Sequence, residues 1–425
     1  MSLRSTASLV LLALAAPLAF SQGEVEHKTT PGNGPANQPQ TTFNVHRLGS
    51  DHAEGISTMD MNGDGNLDLL SGAYWYENPG PQGGEWKQHQ FRKVGMLGEF
   101  VSDCGEWAID VNHDGAPDVV TTGWMLNGLW WYENPKKPGV LWEKHFITDS
   151  YDTEGGAFAD INGDGKPDVA LAHYNHSGVL WVDFSGATPK VHHVGGHEQD
   201  GHGIGIADVD GDGKADILTP NGWFRNVDAD NDKWEWHGDW KLGDAGFPIL
   251  GLDVNSDGRT DIIYGHGHSY GLYWLEQTAN HKWTKHTIDE SYSQIHALKL
   301  VDIDGDGQLE LLTGKRYRGH NGNDPGSYDP LVVYYYKIDR KAGEFTRYPI
   351  SINGTAAAGT QFLALDLDGD GDIDLATAGK TGVHFYENMT VNKVPNATRE
   401  NQLILDTKWP FPGEGDIVKQ EDGPK

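Results

Sequence analysis

The chain of 425 residues has a single cysteine, Cys104, and 32 basic residues against 62 acidic ones, a formal charge of -30. One cysteine excludes an internal disulfide, so stability has to come from packing, from closure of the fold or from bound ions. The shortage of Lys and Arg excludes nucleic acid and anionic membranes as partners, because the field of the protein repels both. Apolar runs long enough to cross a bilayer are also missing, and no membrane span is expected.

What is present begins with MSLRSTASLVLLALAAPLAFSQG, with one basic residue at Arg4, an apolar run from Leu9 to Leu18, and small residues Ala19 and Ser21 spaced like a cleavage site. Residues 1–21 read as a secretory signal peptide, which makes the protein secreted and extracellular. Residues 22–40, rich in Gly, Pro, Gln and Thr, read as a flexible leader. Residues 391–425 read as a polar C-terminal extension. N-x-S/T sequons at Asn175, Asn353, Asn388 and Asn396 fit a glycoprotein if the host is a eukaryote.

The acidic residues are concentrated. DVDGDGKAD, residues 208–216, places an acid at every other position and then a glycine, as loops wrapped around calcium do. An EF-hand would have a bidentate Glu at position 12, where Thr219 stands, and none of the six sister loops has Glu there either. Those sisters are DMNGDGNLD from Asp60, DVNHDGAPD from Asp110, DINGDGKPD from Asp160, DVNSDGRTD from Asp253, DIDGDGQLE from Asp302 and DLDGDGDID from Asp366. Together the seven loops hold 25 of the 62 acidic residues. Oxygen-only ligands and a turn glycine suit Ca²⁺ better than zinc or iron, so several structural calcium sites are expected. The alternative for any one loop is a plain Asx turn.

The candidate calcium ligands are Asp60, Asn62, Asp64 and Asp68 in the first loop, Asp110, Asn112, Asp114 and Asp118 in the second, and Asp160, Asn162, Asp164 and Asp168 in the third. The fourth offers Asp208, Asp210, Asp212 and Asp216, and the fifth Asp253, Asn255, Asp257 and Asp261. The sixth offers Asp302, Asp304, Asp306 and Glu310, and the seventh Asp366, Asp368, Asp370 and Asp374.

Each loop lies between two short apolar runs, such as ISTM before and DLLSG after. A third run follows (YWYEN, LWWYEN, VHFYEN), then a fourth (WKQHQF, WEKHFI, KWTKHTI). Four strand-length segments recurring about every 50 residues predict an all-β fold, a single seven-bladed β-propeller of four-stranded blades over residues 41–390. The seventh repeat lacks a fourth strand, and TFNVHRL at 42–48 has that pattern at the other end of the chain. The N-terminal strand is therefore expected to complete the last blade and close the ring. The D-x-[DN]-x-D-G-x-x-D loops resemble the FG-GAP or VCBS repeats of calcium-binding propellers.

Aligning the repeats exposes the opposite face. Six residues before each first Asp stand Glu54, Cys104, Glu154, His202, Phe247, His296 and Thr360; four of the seven are Glu or His, where composition predicts about 1.4 Asp, Glu or His. Thirteen residues after each first Asp stand Ala73, Gly123, His173, Asn221, His266, Lys315 and Gly379, with Tyr74, Trp124, Tyr174, Arg316 and Lys380 beside them. Glu154, His173, Tyr174, His202, His266, His268, His296, Lys315, Arg316 and Arg318 are therefore expected to converge on the mouth of a central funnel, a setting suited to an anionic or polyhydroxylated ligand such as a sugar or sugar acid. The long sixth repeat, KRYRGHNGNDPGSYDP at 315–330, has the length to fold over that mouth. Trp75, Trp131, Trp181 and Trp274 read as blade-packing residues, Trp124 and Trp223 as sugar-stacking candidates, and Cys104 as a buried small residue.

The segments GHGIGIADVDGDGKADILTPNGWF (201–224) and SQIHALKLVDIDGDGQLELLTGKRYRGHNG (293–322) resemble the propeller of fungal aldos-2-ulose dehydratases and, more loosely, the L-rhamnose-α-1,4-D-glucuronate lyases. Both resemblances imply a lyase that eliminates across a sugar or uronic-acid C–O bond. The chain ends without the cupin domains that follow the dehydratase propeller. In that reading His202 or His296 is the base, Tyr174 the proton donor, and Arg316 with Lys315 the anion holder. A further divalent metal on Glu154, His202 and His296 is the alternative use of the same residues. A calcium-dependent lectin or adhesion propeller without catalysis is the competing class, and a glycoside hydrolase using Glu54 and Glu154 is the third. A monomer is expected.

Overall fold

The computed structural model describes residues 41–98, 100–173, 178–279 and 282–390. The proposed signal peptide, leader and C-terminal extension, together with Tyr174, Asn175 and Asn396, lie outside them.

Seven antiparallel four-stranded sheets make the seven blades. In the first, Ser57–Met59, Asp68–Ser71, Tyr74–Glu77 and Lys87–Gln90 lie side by side in chain order, and blades two to six repeat the arrangement. The last blade combines Phe362–Leu365, Asp374–Gly379 and Gly382–Asn388 with Phe43–Gly49, paired from Phe43 opposite Asn388 to Gly49 opposite Val383. The N-terminal strand closes the ring, as the sequence pattern implies. The second strands Asp68–Ser71, Asp118–Gly123 and Asp168–His173 are buried along their whole length because neighbouring blades cover both faces.

The core lies between blades. Val120 and Leu129 of blade two pack with Val169, Leu171 and Leu180 of blade three, and Val333 and Tyr335 of blade six with Phe362 and Tyr386 of blade seven. Amide side chains at the ends of third strands add hydrogen bonds across the junctions: Asn134 Nδ2 donates to the Met61 carbonyl at 3.3 Å, Asn226 to Ile161 at 3.1 Å and Gln277 to Val209 at 3.0 Å. Asn388 is one of these residues, fully buried with its amide bonded to the Ile373 carbonyl at 2.8 Å, so its sequon is closed to a glycan, whereas Asn353 is exposed.

A cross-strand motif recurs towards the blade edges. Trp75 stacks on His89 at 4.1 Å, Trp131 on His145 at 4.4 Å, Trp181 on His192 at 4.0 Å, Trp223 on His237 at 4.4 Å and Trp274 on His286 at 4.3 Å. Trp223 is thus a packing residue, 2% exposed, with its indole N–H on Asp239, and not the sugar platform expected from its place beside a rim loop. It opens the third strand, where cross-strand pairing fixes its ring.

The acidic loops share one geometry. Asp60 accepts the Gly63 and Asp64 N–H on Oδ1 and the Gly65 N–H on Oδ2, with Gly63 and Gly65 at positive φ. The last acid of each loop is buried and clips the loop shut: Asp68 accepts the Met61 N–H at 2.9 Å and the Asn78 N–H at 2.8 Å. Burial pushes its carboxyl up to about 6 and the equivalent Asp216 up to about 7. Asp208, Asp210 and Asp216 offer oxygens within 4.8 Å of one another, as do Asp302, Asp304 and Asp306. In these two loops a basic side chain already sits on the carboxylates, Arg225 on Asp210 and Asp212, and Lys337 on Asp304 and Asp306.

Candidate active site at the hub

Residues six before each first Asp meet at the hub, where seven first strands come together and bring equivalent backbone positions close. Thr360 of blade seven donates its hydroxyl to the Glu54 carbonyl of blade one at 3.0 Å, and Phe247 of blade five packs against the His202 ring at 5.2 Å. Cys104 is buried, as expected, and its thiol is pushed up by burial.

Arg316 ties this ring together. Its Nε donates to Glu54 at 3.0 Å, and its Nη1 lies 3.2 Å from both oxygens of Glu154 and 2.9 Å from His296 Nε2. Burial alone would raise both carboxyls, but Arg316 together with the hydrogen bonds from His52 to Glu54 and from His202 to Glu154 outweighs it. Glu54 is held at about 2 and Glu154 well below the usual carboxylate range. A glycoside hydrolase needs one of its two carboxyls protonated, and a shared guanidinium keeps both ionised, so the pair Glu54 and Glu154 does not fit that chemistry.

Around Glu154 Oε2 gather three imidazoles: His202 Nε2 at 2.8 Å, His296 Nε2 at 3.3 Å and His268 Nε2 at 3.8 Å. They come from the approach to blade three (Glu154), the approaches to blades four and six (His202 and His296), and the loop between the second and third strands of blade five (His268). All four ligand atoms lie within 4.8 Å of one another. Gly267 lets that loop pass so close, since a Cβ there would stand 2.9 Å from His202 Cε1.

Hydrogen bonds fix the proton positions. His202 Nδ1 lies 2.8 Å from the Ala245 carbonyl, which only accepts, and its Nε2 faces the Glu154 carboxylate, so both nitrogens donate and the ring is an imidazolium. Burial would lower its pKa, but the bond and charge of Glu154 reverse the shift and raise it. His268 donates Nδ1–H to Asp324 at 2.8 Å, leaving Nε2 with a lone pair 3.0 Å from His202 Nε2. His296 is held neutral by burial and by Arg316, whose N–H its Nε2 accepts.

The donor set fits a divalent ion. Three imidazole nitrogens and a carboxylate oxygen suit zinc and its neighbours, and the Ala245 carbonyl and Asp324 carboxylate are the outer partners that orient ligating histidines. Binding would exchange the His202 Nε2 proton for the ion and displace Arg316 Nη1 from His296 Nε2 and Glu154.

The sixth-repeat segment folds over this cluster. Asp324 bonds His320 Nδ1 at 2.7 Å as well as His268, and the half-exposed His320 ring stacks on His268 at 4.4 Å. Arg318 lies over the ring of Tyr328, which is 73% exposed. Gln294, Arg318, His320 and Asn321 all have positive φ, so the backbone strain of this region collects at the mouth.

Of the ten residues expected to converge, Glu154, His202, His268, His296 and Arg316 do. Lys315 is buried behind them, its Nζ 2.5 Å from Gln294 Oε1 and its pKa pushed down to about 8 by burial. Arg318 is at the mouth. His266 turns away, with Nδ1 facing the Tyr270 carbonyl at 3.1 Å, and His173 is buried at the end of its strand, outside the four-ligand group. Tyr174 is outside the described residues. Asp324 and His320 went unnamed in the sequence reading, although both lie in the quoted sixth-repeat segment; their spacing from His268 carries no periodic signal.

An FG-GAP-like repeat model matches the chain over residues 110–171, 160–219 and 253–313. No curated protein matches it in sequence. Among solved structures, rhamnogalacturonan lyase YesW is similar at 16% identity over 81% of this chain and 75% of its own (TM-score 0.43), and the exotype rhamnogalacturonan lyase YesX at 14% over 83% and 75% (0.45). An Agrocybe aegerita lectin recognising non-reducing terminal N-acetylglucosamine is similar at 16% over 73% and 81% (0.42).

Proposed function

We propose that the chain is a secreted, monomeric, carbohydrate-active lyase that carries out a metal-assisted β-elimination at the hub, on a sugar bearing a carbonyl or carboxylate next to the reacting carbon. The observation that carries this reading is the convergence of Glu154, His202, His268 and His296, drawn from four blades, on one point at the mouth of the funnel. A divalent ion held there would act as a Lewis acid on the carbonyl or carboxylate oxygen.

The chain's own groups supply the rest. His320, anchored through Nδ1 by Asp324, would take the proton α to the carbonyl on Nε2; the C–H electron pair becomes the new C=C bond, and the β oxygen leaves with its own pair and takes up a proton from water. Arg316 and the ionised Glu54 and Glu154 fix the charge of the floor, and Arg318 beside Tyr328 offers a cation and an aromatic face to an anionic sugar. Calcium in the acidic loops serves the blades and not the chemistry.

The test is metal analysis of the purified protein, followed by incubation with uronate-containing glycans and ketosugars and a search for the ultraviolet absorbance of a new conjugated double bond. Bound metal and product from the intact chain, both lost in His268→Ala, are expected. A metal-free chain that leaves every substrate unchanged overturns the reading.

A further inference from the structure

Two grooves lie on the acidic-loop side, away from the hub, one between blades one and two (≈ 520 Å³) and one between blades seven and one (≈ 460 Å³). They are built from equivalent positions. The first has a third-strand Trp75 and, two residues on, Glu77; the second has Phe385 and Glu387. Opposite these rings stand the fourth-strand imidazoles His89 and His46, each bonded to its glutamate at 2.8 Å. The far wall comes from the following blade and again matches, with Asn134 and Trp142 in one and Asn78 and Trp86 in the other, eight residues apart in both.

Such openings are not a general consequence of the fold, because at three other junctions the chain's own groups lie at the corresponding position. At the junction of blades three and four, Asp230 and Asp232 reach across to Asn162 and His192. Between blades four and five Arg225 lies over the loop acids, and between blades five and six Arg340 bonds the Asp253 carbonyl while Gly343 sits against Trp274.

We propose that these two grooves are carbohydrate-binding sites separate from the hub, each taking one uncharged pyranose unit of a glycan. The size is in the range of about 300–1,000 Å³ usual for small-ligand pockets. The indoles of Trp86 and Trp142 offer C–H contact to the apolar face of a pyranose, and the partly exposed carboxylates of Glu77 and Glu387 accept from its hydroxyls. Lys136 and Lys137 line only the first groove, so a negative charge on the sugar is not part of the shared chemistry. Because blade one forms a wall of both, the two sites stand side by side and can hold one chain at two points, which multiplies affinity without new contacts. The inference is independent of the elimination reading.

The test is electrophoresis of the full chain through native gels containing mannan, xyloglucan, β-glucan or galactan, with calorimetry on the matching tetrasaccharides. At least one neutral polysaccharide should retard the chain. Glu77→Gln combined with Glu387→Gln should weaken binding at least tenfold, with the aromatic walls left in place; Trp86→Ala and Trp142→Ala should abolish it. His202→Ala should leave it unchanged. Absence of retardation in every gel, retardation indifferent to the double glutamine variant, or loss of binding in His202→Ala alone would overturn the assignment, the last by moving the sugar to the hub.

Discussion

The two faces of the ring use repetition in opposite ways. On the loop side the first Asp of each repeat accepts backbone N–H groups in the same pattern, in Asp60, Asp160 and Asp208 alike. On the hub side the equivalent backbone position has five kinds of side chain in seven blades, and these together make one asymmetric site. A repeat fixes where a residue goes; chemistry needs the residues at that place to differ.

Several changes test this contrast. The largest effect is expected at the hub, where His268→Ala should lower turnover by about 10³ if the imidazole holds a metal, against no change for Asp208→Asn in a chain supplied with calcium. Rates on the same substrate decide it. Next comes a comparison of two arginines. Arg316→Met leaves Glu54 and Glu154 buried and ionised without their partner and should cost about 3–5 kcal/mol, whereas Arg225→Met, on the exposed loop side, should be close to neutral. Denaturant unfolding of both variants measures the gap.

If the loops hold calcium, chelator should lower the melting temperature, since each ion at a hundred times its Kd would contribute about 2.7 kcal/mol. Loops four and six already have Arg225 and Lys337 on their acids, so Arg225→Met with Lys337→Met should raise the calcium stoichiometry measured by titration. A pH effect is expected at Asp103, a carboxyl buried at the approach to blade two and pushed up to about 7 by burial. An acid whose folded pKa is raised favours the fold below its unfolded pKa of about 3.9, and that contribution is lost as pH rises through about 7, with a slope of up to about 1.4 kcal/mol per pH unit. Asp103→Asn should flatten the stability profile between pH 4 and pH 7 on melting curves.

Blade number, strand order and ring closure were legible in the sequence because turn glycines and alternating apolar runs are local signals that recur. Glu154, His202 and His296 were legible because they occupy one register position of the repeat. His268, Asp324 and His320 belong to loops whose lengths differ between blades, so alignment gives them no common position, and their meeting depends on how the sixth-repeat segment folds. His173 and His266 share a register position with Lys315, yet one stays inside its strand and the other turns to a local carbonyl. Trp223 was misjudged because a residue at the turn between two strands already belongs to the cross-strand stack.

The pairing of Phe43–Gly49 with Gly382–Asn388 has a consequence for synthesis. His46 and Glu387, bonded in the finished ring, are 341 residues apart in the chain. Phe43–Gly49 is therefore made long before its partner strand, and the last blade can be completed only after Gly382–Asn388 has been made, a closure across a very long loop.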